Sequence, residues 1–412
     1  MQGWRRWALM GVALGVIVAL LPRWLDGLAI RPADPLGRRA HQGLVPVGPD
    51  LTGLNLLRLD FHPDKVTSPL RHGASAELTL DPDLQRATQA VLRRHSVPEA
   101  GVVVMDVRTG NVLAYASRVG EGTPFDVNLR AEAPAASIFK IVTAAALLEV
   151  PGLSAQTEQC YRGGQSRIVA NELLPDPSRD RWCASMAMAM GRSINVVFAR
   201  LAQRHLTPEG LTEAAGAFGF GAPTPFDIDA EAPGIELPNE PLEFARAAAG
   251  FWHTSLSPLA GASMAQALGN AGLMLKPRIV RAVLEGDERA WEAPAAPVPL
   301  RRVVSTRAAH ELTKMMLQTV ASGSAFRTFH DRDGRPFLPK VRIASKTGTL
   351  TRHEGNRHYT WFVGFAPADQ PEVSIAALVV NTPVWRIKGP ELAREVLRAY
   401  FAQHGVAGVS PP

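Results

Sequence analysis

The segments of this 412-residue chain that read as strands lie far apart, and that separation limits the fold more than any other feature. Gly101-Val-Val-Val-Met-Asp-Val107 and Asn111-Val-Leu-Ala-Tyr-Ala-Ser117 predict two strands joined by a turn at Arg108-Thr-Gly110. The other strand patterns come only near the end: Val341-Arg-Ile-Ala-Ser345, Tyr359-Thr-Trp-Phe-Val-Gly-Phe365 and Val373-Ser-Ile-Ala-Ala-Leu-Val-Val380. A long Ala- and Met-rich stretch lies between and reads as mostly helical. Asp81 is suited to cap a helix with Pro82 at its first position, and Leu84, Ala87, Ala90 and Val91 give that helix an apolar face. Another helix is predicted from Pro390 to Phe401. Strands this distant can share one sheet only if the two ends of the domain meet. The expected architecture is α+β: a five-stranded antiparallel sheet flanked by helices, with an all-helical insertion.

In front of this regular part, Trp7 to Pro22 is unbroken by charge, with Arg5-Arg6 before it and Arg23 after it. Sixteen helical residues span about 24 Å, slightly short of a hydrocarbon core of about 30 Å. Trp4, Trp7 and Trp24 extend the effective span at the interfaces. A cleaved signal peptide is the competing reading, but bulky Arg31 after Leu28-Ala29-Ile30 gives no small-residue cleavage site. The expectation is a membrane anchor over 1–26, a stalk rich in Pro, Gly, Arg and His over 27–76, a main domain over 77–405 and a tail over 406–412. Arg5, Arg6 and the terminal amine against Arg23, Arg31, Arg38 and Arg39 do not favour an outside C-terminus, so export is inferred from the chemistry of the motifs and not from that count.

Composition narrows the function classes. With 46% apolar and 20% charged residues, the chain can bury a sizeable core and is not a disordered protein. The net charge of +6 comes from scattered arginines rather than a basic run interleaved with aromatics, so no nucleic-acid partner is expected.

Three short motifs carry chemistry. In Ser137-Ile-Phe-Lys140 the two polar residues are three apart, on one face of a helix that continues through an Ala-rich run to Leu148. Pro134 is placed for that helix's first turn. A serine near a helix N-terminus sits where free N–H groups favour developing negative charge. Its hydroxyl becomes a nucleophile only when a base removes the proton. Lys140 serves as that base if apolar neighbours and a nearby cation disfavour its ammonium. Alone, Ser-x-x-Lys is common on surface helices. In Ser193-Ile-Asn195, after a break at Gly191, a hydroxyl and a carboxamide two apart can both face a cleft; capping of the following helix is the plainer reading. In Lys346-Thr-Gly-Thr349, at the end of a strand, Lys346 supplies fixed positive charge, Thr347 and Thr349 offer hydroxyls suited to a carboxylate, and Gly348 leaves room for a substrate backbone. A strand ending in a turn is the plainer reading there.

Taken together, and in this order, the motifs resemble the signature of penicillin-binding transpeptidases and serine β-lactamases. The region from about Leu78 to Phe401 looks like the transpeptidase domain of penicillin-binding proteins. Thr79-Leu-Asp-Pro-Asp-Leu-Gln85, Phe218-Gly-Phe-Gly221 and Trp361-Phe-Val-Gly-Phe-Ala-Pro367 agree with it, while Ser345 and Ala135-Ala136 depart from the usual pattern. The resemblance implies a peptidoglycan D,D-transpeptidase acylated at Ser137 by D-Ala-D-Ala stem peptides, with Lys140 as base, Ser193 as proton relay, Asn195 holding the peptide, and Lys346, Thr347 and Thr349 binding the terminal carboxylate. The backbone N–H groups of Ser137 and Thr349 would form the oxyanion hole. β-Lactams would acylate Ser137, and no metal or organic cofactor is needed. The alternatives are a D,D-carboxypeptidase, a class D-like β-lactamase or a non-catalytic penicillin-binding sensor. The absence of a Glu-x-x-Leu-Asn segment after Ser193 argues against a class A β-lactamase. The same resemblance implies a bacterial inner-membrane protein with its domain in the periplasm. The stretch before Leu78 has no room for a glycosyltransferase domain, so a glycan-polymerising partner would be a separate chain.

Smaller signals remain. Cys160 and Cys183 are the only cysteines, a disulfide candidate in an exported domain. His353-Glu354 and His358 read as a solvated hairpin tip rather than a metal site. Gly216, Gly219 and Gly221 read as a helix-ending turn, and the run of Met186, Met188 and Met190 as packing.

Overall fold

A computed structural model describes residues 48–412, apart from 121, 165, 166 and 287. The expected anchor over 1–26 and the first part of the stalk lie outside the described residues. Among the described residues, no helix is long and apolar enough to cross a membrane.

The distant strands do meet. β1 (Glu99–Asp106), β2 (Val112–Val119), β3 (Ala344–Arg352), β4 (Arg357–Ala366) and β5 (Val373–Asn381) form one five-stranded antiparallel sheet in the order β3-β4-β5-β1-β2. The two ends are joined where β5 pairs with β1, from Val373 opposite Asp106 to Val380 opposite Glu99. Every residue of β5 is buried, which is why it reads as a continuous apolar run and not an alternating one.

The helices that shape the site are α1 (Pro82–Arg94), α2 (Lys140–Glu149), α3 (Met186–Arg192), α4 (Asn195–His205), α5 (Pro241–Ala248), α6 (Pro258–Gly269), α7 (Thr306–Ala321) and α8 (Gly389–Gln403). On one face of the sheet, Val102, Val104, Ile375 and Ala377 pack with Leu84 and Val91 of α1 and Val396, Leu397 and Phe401 of α8. The Asp81 carboxylate caps α1, accepting from the amides of Asp83 and Leu84 at 3.0 and 2.8 Å. On the other face, Val103, Met105, Ala376 and Leu378 pack against Leu259, Ala262 and Met264 of α6. That helix has no polar side and is buried almost throughout, as such a helix must be. α7 packs both against this helix and directly against β3.

Several expectations need correction. The insertion is not all-helical. Val280–Glu285 and Glu288–Glu292 form a second five-stranded sheet with Asp60–Phe61, Val66–Pro69 and Ala74–Leu78. Residues 49–76 therefore belong to the compact unit that begins at Pro49, not to a stalk. Val66, Ala76 and Leu78 are buried there, and the buried Glu77 carboxylate lies 3.6 Å from Arg281 and 3.3 Å from Arg289. Short strands between Pro- and Gly-rich turns leave no periodicity long enough to read. Pro134 lies in a two-residue strand, Ala133–Pro134, paired with Ser255–Leu256, and not in a helix. The tail folds back on α8, where Arg398 donates to the carbonyls of Ser410 and Pro411 at 3.2 and 3.1 Å.

Candidate active site

The chain enters the site through a pinned segment: the Trp361 indole of β4 donates to the Pro134 carbonyl at 2.9 Å. Ala136–Phe139 then make a single 3-10 turn, and Lys140 opens α2. Ala136 holds φ at +50°, a left-handed conformation costly for a residue with a Cβ. The Lys140 side chain is fully buried. Its Nζ lies 2.8 Å from Ser137 Oγ, 2.7 Å from Asn195 Oδ1 and 2.5 Å from the Ala249 carbonyl, and donates to these oxygens. All three are uncharged. Burial, and then the nearby Lys346 charge, hold the Lys140 ammonium well below the usual lysine range.

Ser193 closes α3 in a left-handed conformation at φ +58°. Ile194 stands at the N-cap of α4, whose start has no side-chain cap, so neither Ser193 nor Asn195 serves the capping role that is the plainer reading of this motif. Both side chains reach the lysines instead: Asn195 meets Lys140, and Ser193 Oγ accepts from Lys346 Nζ at 2.9 Å.

Lys346, Thr347, Gly348 and Thr349 lie inside β3, which continues to Arg352, rather than at a strand end. Lys346 is fully buried and also donates to the Thr347 carbonyl at 2.8 Å. Burial draws its ammonium down to about 7, so its charge in the free protein is not fixed. β3 is an edge strand, and Gly348 faces the 3-10 turn. A Cβ there would lie 3.2 Å from Ile138 Cγ1 and 3.4 Å from the Ala135 carbonyl, so its lack of a side chain lets strand and turn touch. Thr349 is exposed and lines a cavity of about 530 Å³ with Ser137 and Asn195.

All eight residues of the three motifs therefore gather around one cleft. Sequence reasoning missed two of their supports. Ser324, in the turn after α7, shares a 2.6 Å hydrogen bond with the Thr347 hydroxyl, and its amide donates to the Gly191 carbonyl at 2.9 Å. Gly250 at φ +88° lets the segment after α5 press on the serine turn; a Cβ would lie 2.4 Å from the Ala136 carbonyl. No local pattern marks either. Cys160 and Cys183 stand opposite each other in a hairpin of Glu158–Tyr161 with Trp182–Ser185 and are joined by a disulfide. At the tip between β3 and β4, His358 shares a 3.0 Å hydrogen bond with Thr351 and lies against Trp385, while Glu354–Asn356 form a short 3-10 turn.

The family model for the penicillin-binding protein transpeptidase domain matches residues 100–401. The chain belongs to that family. Among relatives of this transpeptidase domain, the peptidoglycan D,D-transpeptidase PbpA of Mycobacterium tuberculosis is 27% identical over 358 residues, covering 75% of this chain and 68% of that protein. Stage V sporulation protein D of Bacillus subtilis is 25% identical over 337 residues, 76% of this chain and 51% of the relative. Among solved structures, the D,D-transpeptidase domain of a peptidoglycan glycosyltransferase from Eggerthella lenta matches with a TM-score of 0.66 at 26% identity, covering 80% of this chain and 83% of that one. The imipenem acyl-enzyme of penicillin-binding protein A from M. tuberculosis shares the fold, with a TM-score of 0.66 at 23% identity over 80% of each chain.

Proposed function

We propose that this chain is a serine-type peptidoglycan D,D-transpeptidase that also binds penicillin covalently, with Ser137 as its nucleophile. One observation carries the assignment of roles. A buried lysine lies 2.8 Å from the serine hydroxyl with only uncharged oxygens around it, so its neutral amine is available as a base. Lys140 takes the Ser137 proton as Oγ attacks the carbonyl of the penultimate D-alanine. The backbone N–H groups of Ser137 and Thr349 stabilise the oxyanion. The peptide bond then breaks, and the terminal D-alanine leaves as its amine receives a proton through Ser193. Asn195 holds the bound peptide. The leaving residue's carboxylate lies at Lys346, Thr347 and Thr349. It supplies Lys346 with the counter-charge it lacks, and so favours the charged lysine when substrate is bound. An amine of a neighbouring stem peptide then attacks the acyl-serine carbonyl and loses a proton, and the Ser137 oxygen leaves and is reprotonated.

The uncharged stretch from Trp7 to Pro22 supports a single-pass anchor over 1–26, and a peptidoglycan substrate, which lies outside the cytoplasm, supports a domain on the periplasmic side of a bacterial inner membrane. Protease added to intact spheroplasts degrades the domain if this topology is right and spares it if the domain is cytoplasmic.

A fluorescent penicillin tests the chemistry. Wild type acquires label that persists for many minutes, while Ser137→Ala and Lys140→Ala acquire none; rapid loss of label would make the protein a β-lactamase. Product analysis with a stem-peptide donor and an amine acceptor must give cross-linked peptide, and release of D-alanine alone would make it a carboxypeptidase.

A further inference from the structure

The cavity extends well beyond the bond-making atoms. From Ser137 its lining runs through Thr349, Leu350 and Thr351 to a wall of Arg167, Ile168, Glu243, Arg246 and Trp252, with Lys346 and Thr347 outside it. A donor with its terminal carboxylate at Lys346 and its reacting carbonyl at Ser137 places its acyl half here. The residue next to the penultimate D-alanine then reaches that wall.

The groups on the wall differ in how far they are satisfied. Arg246 is committed: Nε and Nη2 donate to the Ile168 carbonyl at 3.0 and 2.6 Å, and Nη1 to Glu243 Oε1 at 2.5 Å. It clamps the wall together. Among the described residues the second Glu243 oxygen has one ion-pair neighbour, His253 Nε2 at 3.9 Å. Arg167 is exposed and has no hydrogen-bond or ion-pair partner among the described residues. Trp252 is 45% exposed, and the backbone that presents it is strained. Gly250, Trp252 and His253 all hold positive φ, at +88°, +49° and +60°. Left-handed residues with a Cβ are strained and persist where a conformation is over-determined, often at ligand clamps.

An unpaired guanidinium, a half-paired carboxylate and an open indole face complement one group: an ammonium and a carboxylate on the same carbon. The acceptor amine of a cross-link comes from a stem-peptide side chain, so the same residue in the donor carries an amine as well. We infer that this wall is a subsite for a donor side chain ending in an amino-acid head, its carboxylate at Arg167 and its ammonium between Glu243 and Trp252. A lysine side chain brings the ammonium alone and leaves Arg167 unanswered. This inference rests on the transpeptidase reading above.

Two synthetic donors that differ only in that residue, meso-diaminopimelate in one and lysine in the other, test it by D-alanine release. Wild type is expected to show a kcat/KM about two- to fivefold higher for the diaminopimelate donor, the worth of one exposed charge pair. Arg167→Ala brings the ratio to about 1, whereas Glu243→Gln lowers both donors together and keeps the ratio. Because the readout is a ratio on one preparation, any loss of folded protein cancels. Equal use of the donors by wild type, or an unchanged ratio in Arg167→Ala, overturns the subsite alone. Penicillin labelling of Ser137 without D-alanine release from either donor overturns the transpeptidase reading, and the subsite with it.

Discussion

Helix α4 touches two buried charge clusters, and they are built on opposite terms. Its Arg200 side chain is enclosed beside the disulfide hairpin. It makes a two-pronged pair with Asp180, at 2.6 and 3.0 Å, and spends its other donors on the carbonyls of Glu172, Cys160 and Leu174. Asp180 also takes a bond from Arg162 at 2.8 Å, and the Arg200 hydrogen bond is the leading reason its carboxyl is held below the usual carboxylate range. At the start of the same helix, Asn195 faces Lys140, and Lys346 lies close enough for its charge to act on Lys140. Among the described residues neither lysine has an ion-pair partner. A buried cation with a counter-ion is fixed in its charge and serves as scaffold. A buried cation without one is poised to lose its proton, and that poise is chemical.

The sharpest way to break this comparison is to exchange the roles. Lys140→Met removes the base, so the penicillin acylation rate falls about 10³-fold, while stability changes only by the lost hydrogen bonds to Asn195 and Ala249, about 1–3 kcal/mol. Asp180→Asn leaves Arg200 buried without its counter-ion and costs about 3–5 kcal/mol in urea unfolding, with acylation per folded molecule nearly unchanged. Equal losses of acylation in the two variants would show that the clusters are not functionally distinct.

Next in size comes a change of shape rather than charge. Gly250→Ala puts a methyl group 2.4 Å from the Ala136 carbonyl and 3.0 Å from Ser137 Cα, in backbone held at φ +88°. The serine turn must shift, and a displacement approaching 1 Å is worth about 10²-fold in acylation rate. Normal labelling by this variant would mean that the close approach is incidental.

The scaffold cluster was almost illegible in the sequence, whereas the reactive one stood out. Ser137 and Lys140 are three apart on one turn, Ser193 and Asn195 two apart, and Lys346 to Thr349 contiguous, so each motif is local even though the cleft is not. Arg200, Asp180 and Arg162 are ordinary charged residues with no spacing that marks them, and only folding of the 158–185 hairpin brings them together. The central sheet was readable because β1 and β5 are long and apolar. The second sheet was not, because its strands are two to six residues long and come from both sides of the helical middle. Ser324 sits in a turn and Arg167 in an irregular segment, and the importance of each depends wholly on what it faces.

Lys346 sharpens the comparison through pH. With its ammonium drawn down to about 7 in the free protein, kcat/KM for a carboxylate-bearing β-lactam should fall about tenfold per unit above that point. Lys346→Arg keeps its charge through the range and loses this alkaline limb, whatever its absolute rate. Stability has the opposite slope. Between about 7 and the unfolded lysine value, the unfolded chain binds the proton that folded Lys346 has released, so unfolding free energy rises with pH across that window. Lys346→Met removes this residue's share of the slope, and an unaltered slope in that variant would place the titration elsewhere.

The smallest expected effect belongs to a neutral pair lying between the two extremes. Ser324 and Thr347 share a 2.6 Å hydrogen bond beside Lys346, and the Ser324 amide holds the Gly191 carbonyl whatever its side chain. Ser324→Ala therefore spares the backbone and frees only the Thr347 hydroxyl to rotate. In the role proposed for it, that hydroxyl binds a carboxylate present in both the ground state and the transition state, so its misorientation acts on uniform binding. KM for a stem-peptide donor should rise about fivefold, the worth of one hydrogen bond, with kcat held. A fall in kcat at constant KM would instead place Ser324 with Lys140, among the groups that act on the reacting bond.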